Sequence, residues 1–236
     1  MPIVVVTGAS QGIGAAIAQA FAEEPVARLA LVARNRKRLE AVAAACRARG
    51  AETLVLPCDV TDAGAVEAMA NEVLVRWGAP EVLVNNAGLF RPAPLRQTAV
   101  EEFRAQLEAN LTSAFLVTRA FLEPMIARRR GHIFFMGSVA ALKAYPGSVA
   151  YCAAKHGLLG LARVVREETR QLGLRVTVVL PGATYTPSWE GVGLPEARFM
   201  PAEDIARAVR DVYHLSSRTV VEEILLRPQE GDLSLD

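Results

Sequence analysis

The stretch VVVTGASQGIGAAIA, residues 4–18, decides the fold. A short β-branched run enters a glycine-rich turn and leaves as an alanine-rich helix. Gly8, Gly12 and Gly14 allow a tight turn and a close backbone approach, while the free N–H groups at the helix start offer a positive dipole end to a diphosphate. The spacing is G-x3-G-x-G, which departs from the G-x-G-x-x-G dinucleotide fingerprint. A plain strand–helix turn could carry the same glycines, so the flanking sequence has to choose.

Outward from that turn, short apolar runs alternate with longer Ala/Arg/Glu/Leu segments. Strands are expected at 3–6, 28–33, within 52–60, within 81–88, at 131–138, at 175–182 and at 220–228. Helices are expected at 12–24, 35–50 (with Gly50 as a C-terminal signal), 62–78, about 98–130, about 149–172 and 202–215. This alternation predicts an α/β protein: a Rossmann-type, doubly wound, mostly parallel seven-stranded sheet in a single domain, 1–236.

The bulk numbers exclude several other classes. Hydrophobic residues make up 52% of the 236, enough for a large core, and the net charge of +1 argues against a nucleic-acid partner. No run reaches the roughly 20 apolar residues of a membrane span. The start, MPIVVVTG, lacks the basic region of a signal peptide. Cys46, Cys58 and Cys152 are scattered without metal spacing and fit reduced, inert thiols, Cys152 being expected buried. His132, His156 and His214 have no metal spacing either, so no metal is expected. A cytoplasmic protein follows as the expectation. Of 26 basic residues only Lys37, Lys143 and Lys155 are lysines.

The end of the second strand reads LVARNRKR. An acid there would bind the ribose hydroxyls of NAD, but Ala33 and Arg34 occupy that place. Arg34 offers a planar fork to a 2′-phosphate, with Asn35 beside it, so NADP(H) is expected over NAD(H). Arg36 and Arg38 fit a solvated helix start better than Arg34 does.

Tyr151 and Lys155 stand four apart and share a helix face, and Ser138 ends the preceding strand. A phenol titrates near pH 10, and a neighbouring ammonium stabilises its anion. The three groups together suit moving a proton on and off a carbonyl or alcohol oxygen.

TGASQGIG (7–14), CDV (58–60), NNAG (85–88), Asn110 in EANLTSAF, Ser138, YCAAK (151–155) and PGATYT (181–186), in this order, resemble the short-chain dehydrogenase/reductase family. The resemblance implies that Tyr151 is the general acid of carbonyl reduction. Lys155 would lower its pKa and bind the nicotinamide ribose, Ser138 would hold the substrate oxygen, and Asn110 would support a water relay to Lys155. Cofactor contacts would come from Gly8, Ser10, Gln11, Gly12, Ile13 and Gly14 in the turn, from Asp59 and Val60 at the adenine, and from Asn86, Ala87 and Gly88 along the adenosine. Pro181, Gly182, Thr184 and Thr186 would hold the nicotinamide. Gln11 stands where NADP enzymes of the family sometimes carry a basic residue. A homodimer or homotetramer packed through 100–130 and 149–172 is also implied.

GHIFFMGSVAALKA (131–144), PGATYTPSW (181–189) and SSRTVVEEILLRPQEGD (216–232) are similar to bacterial sepiapterin reductases, which reduce pterin side-chain ketones with NADPH. Other short members act on 3-hydroxy acids, 3-oxoacyl groups or simple ketones, and a non-catalytic NADP(H) sensor is the alternative of another class. The substrate segment is expected at 183–200, with Trp189 either stacked on a flat ring or anchoring its loop. Phe90 and Tyr145 are weaker candidates for pocket walls, with core packing the favoured reading of each.

Overall fold

The computed structural model describes residues 2–189 and 193–233, the side chain of Ser188 excepted. Seven strands form its sheet: β1 (Ile3–Thr7), β2 (Arg28–Ala33), β3 (Glu52–Pro57), β4 (Val82–Asn85), β5 (Gly131–Met136), β6 (Leu174–Pro181) and β7 (Glu223–Leu226). Their order is β3-β2-β1-β4-β5-β6-β7, and every pairing is parallel. The expected "mostly parallel" sheet is thus parallel throughout. The chain reverses its direction of growth between β1 and β4, the point where doubly wound sheets open a crevice at the carboxyl ends of their strands.

Period-two alternation along the buried strands feeds two apolar layers. On one face Val4 and Val6 pack with α1 (Gly12–Phe21), α2 (Arg36–Arg47) and α7 (Ala202–His214), through Ile17, Phe21, Leu39, Ile205 and Val209. On the other, Ile3 and Val5 belong to the layer of α3 (Ala63–Trp77), α5 (Ser113–Ala127) and α6 (Val149–Thr169), through Met69, Phe121 and Leu158. The central parallel strands are covered on both sides, which explains why their runs are mostly apolar, while the edge strands β3 and β7 keep exposed positions.

The expected helix at 98–130 is interrupted. After α4 (Val100–Leu107) the backbone makes a π turn at Glu108–Thr112 before continuing as α5. Such single-turn bulges are a recognised way to aim a residue out of a helix at a functional site. Asn110 lies in this one and is buried. Among the described residues no helix is long and apolar enough to cross a membrane.

Candidate active site

The carboxyl ends of β1 and β4 are tied by Thr7. Its hydroxyl donates to the Val84 carbonyl (3.2 Å) and accepts from the N–H groups of Asn86 (2.9 Å) and Ala87 (3.0 Å). The Asn86 amide returns the tie, donating to the carbonyls of Thr7 (2.9 Å) and Gly8 (3.3 Å). Gly8 (φ +65°) and Gly12 (φ +55°) take left-handed backbone, which glycine adopts without penalty. At Gly12 a Cβ would stand 3.1 Å from Thr186 Cγ2, so the turn and the loop after β6 already touch. Gly14 has another duty. A Cβ there would strike the Gly8 carbonyl and the Asn86 amide, and Gly14 does not reach the cleft surface. Gly14 thus packs beneath the turn, close to Gly8 and Asn86.

Between these ends runs a cleft of about 1060 Å³. Gly8, Ser10, Gln11, Gly12 and Ile13 line it from the turn, and Asn86, Ala87 and Gly88 from the exit of β4. Pro181, Gly182, Thr184, Thr186 and Trp189 line it from the β6 side. Residues 190–192 of the expected substrate segment lie outside the described residues.

At one end Arg34, Asn35, Asp59 and Val60 reach the cleft. Asn35 caps α2 by accepting from the Arg38 N–H (3.0 Å). Hydrogen bonds from the Thr61 N–H and hydroxyl hold the Asp59 carboxyl below its usual range, and the Arg34 guanidinium adds to this. Arg38, exposed in the first turn of α2, also lines the cleft and donates to Gln11 Oε1.

The other end gathers the groups able to move a proton. Ser138 caps a one-turn 3₁₀ helix, its Oγ accepting from Ala140 N (3.1 Å). Tyr151 occupies the first turn of α6. Lys155 follows one turn later, buried, donating to the Met136 carbonyl (2.8 Å) with its Nζ 5.5 Å from the Tyr151 ring centroid. Burial dominates both groups: it pushes the Tyr151 phenol up to about 12, against a hydrogen bond from Ser138, and the Lys155 ammonium down to about 8. In this arrangement the Lys155 ammonium donates to the Met136 carbonyl and both groups are desolvated.

Asn110 reaches the same region. Its Nδ2 donates to the carbonyls of Leu89 (2.7 Å) and Gln106 (2.9 Å), and its Oδ1 accepts from Leu89 N (3.2 Å). The side chain thus ties the loop after β4 to the π turn.

Phe90, Tyr145 and Cys152 differ from their favoured settings. Phe90 is a cleft wall rather than core, edge-on to Tyr151 at 4.9 Å and 6.1 Å from Trp189. Trp189 also packs 5.1 Å from Phe199, so it is at once a wall and the anchor of its loop. Tyr145 lines the cleft too and donates to Asp232 (2.8 Å), a cleft residue from beyond β7 that Lys143 (3.5 Å) and Arg227 also hold. Local sequence carries no signal for Asp232, whose partners lie up to 89 positions away. Cys152 is only partly buried. No group of three or more potential metal-ligating side chains occurs among the described residues.

The short chain dehydrogenase family profile matches residues 2–196. The chain is 41% identical to the sepiapterin reductase of Chlorobaculum tepidum over 99% of both chains. It is 37% identical to a 3-oxoacyl-[acyl-carrier-protein] reductase of Bos taurus, over 98% of this chain and 97% of that one. Among solved structures, a metagenomic short-chain oxidoreductase in complex with NADP superposes with a TM-score of 0.86 at 36% identity, covering 97% of each chain. With the sheet order, the turn and the Ser138–Tyr151–Lys155 set, these matches show an oxidoreductase: the chain belongs to the short chain dehydrogenase family.

Proposed function

We propose that the chain is an NADPH-dependent carbonyl reductase whose substrates are flat, pterin-like side-chain ketones or diketones. One observation carries the reading: Ser138, Tyr151 and Lys155 line one cleft, with the buried Lys155 ammonium one turn behind Tyr151 and the Phe90 ring edge-on to the phenol.

The residues present fit the cofactor. The turn leaves its backbone bare at Gly8 and Gly12, α1 has no side-chain cap over its first N–H groups, and Arg34, Asn35 and Arg38 meet the cleft where no β2 carboxylate stands to repel a 2′-phosphate. When bound, NADPH supplies the hydride for the carbonyl carbon. Tyr151 gives the proton to the carbonyl oxygen, and the Ser138 hydroxyl holds that oxygen by a hydrogen bond. Lys155 lies one turn behind Tyr151 as a cation below about pH 8. Asn110 keeps the Leu89 segment, and with it Phe90, against Tyr151. Phe90, Tyr145 and Trp189 give the substrate end flat aromatic walls suited to a planar ring. The likeness to the Chlorobaculum tepidum sepiapterin reductase supports the pterin class.

The likeness to the bovine enzyme favours a second reading, a 3-oxoacyl reductase or, in reverse, an NADP-dependent dehydrogenase of serine-like 3-hydroxy acids. A non-catalytic NADP(H) sensor has no use for Ser138, Tyr151 and Lys155 in one cleft. The reading includes a cytoplasmic homodimer or homotetramer, single-domain in each subunit, with no nucleic-acid or membrane partner. Phe115 on α5 and Val164 on α6, 45% and 54% exposed, support those helices as the contact.

The test is NADPH oxidation with sepiapterin, with NADH in parallel and an acetoacetyl thioester as competitor substrate class. Turnover of sepiapterin with NADPH and little with NADH supports the reading. Turnover of the thioester alone selects the second. Tight NADPH binding with no carbonyl reduced would refute both.

A further inference from the structure

We infer that Gln11 is a positioning residue for cofactor choice, holding Arg38 over the cleft so that Arg38, beside Arg34, receives the 2′-phosphate. The inference rests on the NADP(H) reading and adds a division of labour within it.

Gln11 precedes α1 in extended backbone, and its side chain makes no cap bond to the helix it starts. Its Oε1 instead accepts from the Arg38 guanidinium across 27 positions, and both residues line the cleft. Arg38 is fixed at its other end too, since its N–H is bound by the Asn35 cap (3.0 Å). An exposed arginine has many rotamers, and a second attachment removes most of them before a ligand arrives.

The two guanidiniums differ in electrostatic company. Arg34 helps to hold the Asp59 carboxyl below its usual range, so it has an acidic neighbour at its end of the cleft. Arg38 is held by a neutral amide oxygen, and no salt bridge engages it among the described residues. A carboxylate at position 11 would answer the charge. A basic residue there would repel it. An amide orients the guanidinium and leaves both its charge and its remaining donors for a phosphate.

The experiment compares NADP⁺ and NAD⁺ binding by calorimetry for the full chain and for Gln11→Met, Gln11→Glu, Arg38→Ala and Gln11→Met/Arg38→Ala. Methionine keeps the length of glutamine without its acceptor. Gln11→Met is expected to weaken NADP⁺ by about three- to tenfold, the net worth of one solvent-exposed hydrogen bond. NAD⁺ should change by less than about twofold. Gln11→Glu should weaken NADP⁺ further. In the Arg38→Ala background Gln11→Met should add nothing, because its effect passes through Arg38. Equal losses for NADP⁺ and NAD⁺ would mean that Gln11 serves the shared diphosphate and would overturn the inference. So would independent, multiplying effects of Gln11→Met and Arg38→Ala. If Arg34→Ala abolishes discrimination while Arg38→Ala is silent, this inference fails and the cofactor reading stands. An unmodified chain that binds NAD⁺ as tightly as NADP⁺ refutes both.

Discussion

Replacing Asn110 by alanine should destabilise the protein before it affects chemistry. The side chain is 2% exposed and makes three hydrogen bonds: two donated to the Leu89 and Gln106 carbonyls, one accepted from the Leu89 N–H. At about 1 kcal/mol net for each, the three amount to about 3 kcal/mol, since alanine supplies neither donor nor acceptor in a place water reaches poorly. For a chain of this size that corresponds to a melting midpoint roughly 6–12 °C lower. Urea unfolding followed by circular dichroism reads the loss directly, provided the slope is unchanged. A second consequence follows from sequence adjacency. Leu89 precedes Phe90, whose ring stands on Tyr151, so releasing Leu89 loosens the substrate wall and KM should rise. Asn110→Asp restores the acceptor for the Leu89 N–H but not the two donors, and should recover only a minor part of the stability. A variant within about 1 kcal/mol of the parent, with kcat reduced and KM unchanged, would refute this account and favour a side chain acting only through water.

Three other perturbations have definite outcomes. With the Tyr151 phenol pushed up to about 12 and Lys155 down to about 8, ketone reduction should be level through neutral pH and fall as pH rises past about 8, while alcohol oxidation should climb with pH; ultraviolet difference titration of the cofactor-free chain against Tyr151→Phe should reveal no phenolate below about pH 10. Gly14→Ala should cost about 1–3 kcal/mol or more and weaken NADP⁺, because its methyl meets backbone at Gly8, whereas Gly160→Ala in α6, with nothing within 4 Å, should stabilise by up to about 1 kcal/mol; unfolding curves of the pair decide. Asp232→Ala frees Tyr145, Lys143 and Arg227 together and should raise KM for ketone while calorimetry finds NADP⁺ affinity unchanged.

Much of the fold was legible because its signals are local. Buried parallel strands are mostly apolar, and the glycine turn marks the one place where β1 must give way to a helix. The π turn was not legible. It is a slip in backbone register, and the side-chain pattern of 98–130 reads as a single helix on either side of it. At the site, Ser138, Tyr151 and Lys155 could be located from spacing, but their electrostatics could not. Sequence displays an ammonium near a phenol, while burial and the Met136 carbonyl decide what the ammonium does. Arg38, Phe90, Tyr145 and Asp232 were misjudged or missed for a common reason. Each is defined by a partner far away in the chain, and each taken alone resembles an ordinary helix start, core aromatic or loop acid.

The parallel sheet also has a bearing on handling the protein. All seven strands point the same way, so β1 begins at Ile3 on the edge remote from the cleft, where Glu81 meets Arg128 and Arg130. Beyond β7 the chain is already at the working edge, and Asp232 is clasped there. A tether, tag or fused partner joined ahead of β1 would leave on the blind side of the molecule. The same addition joined just after Leu233 would emerge at the mouth of the cleft.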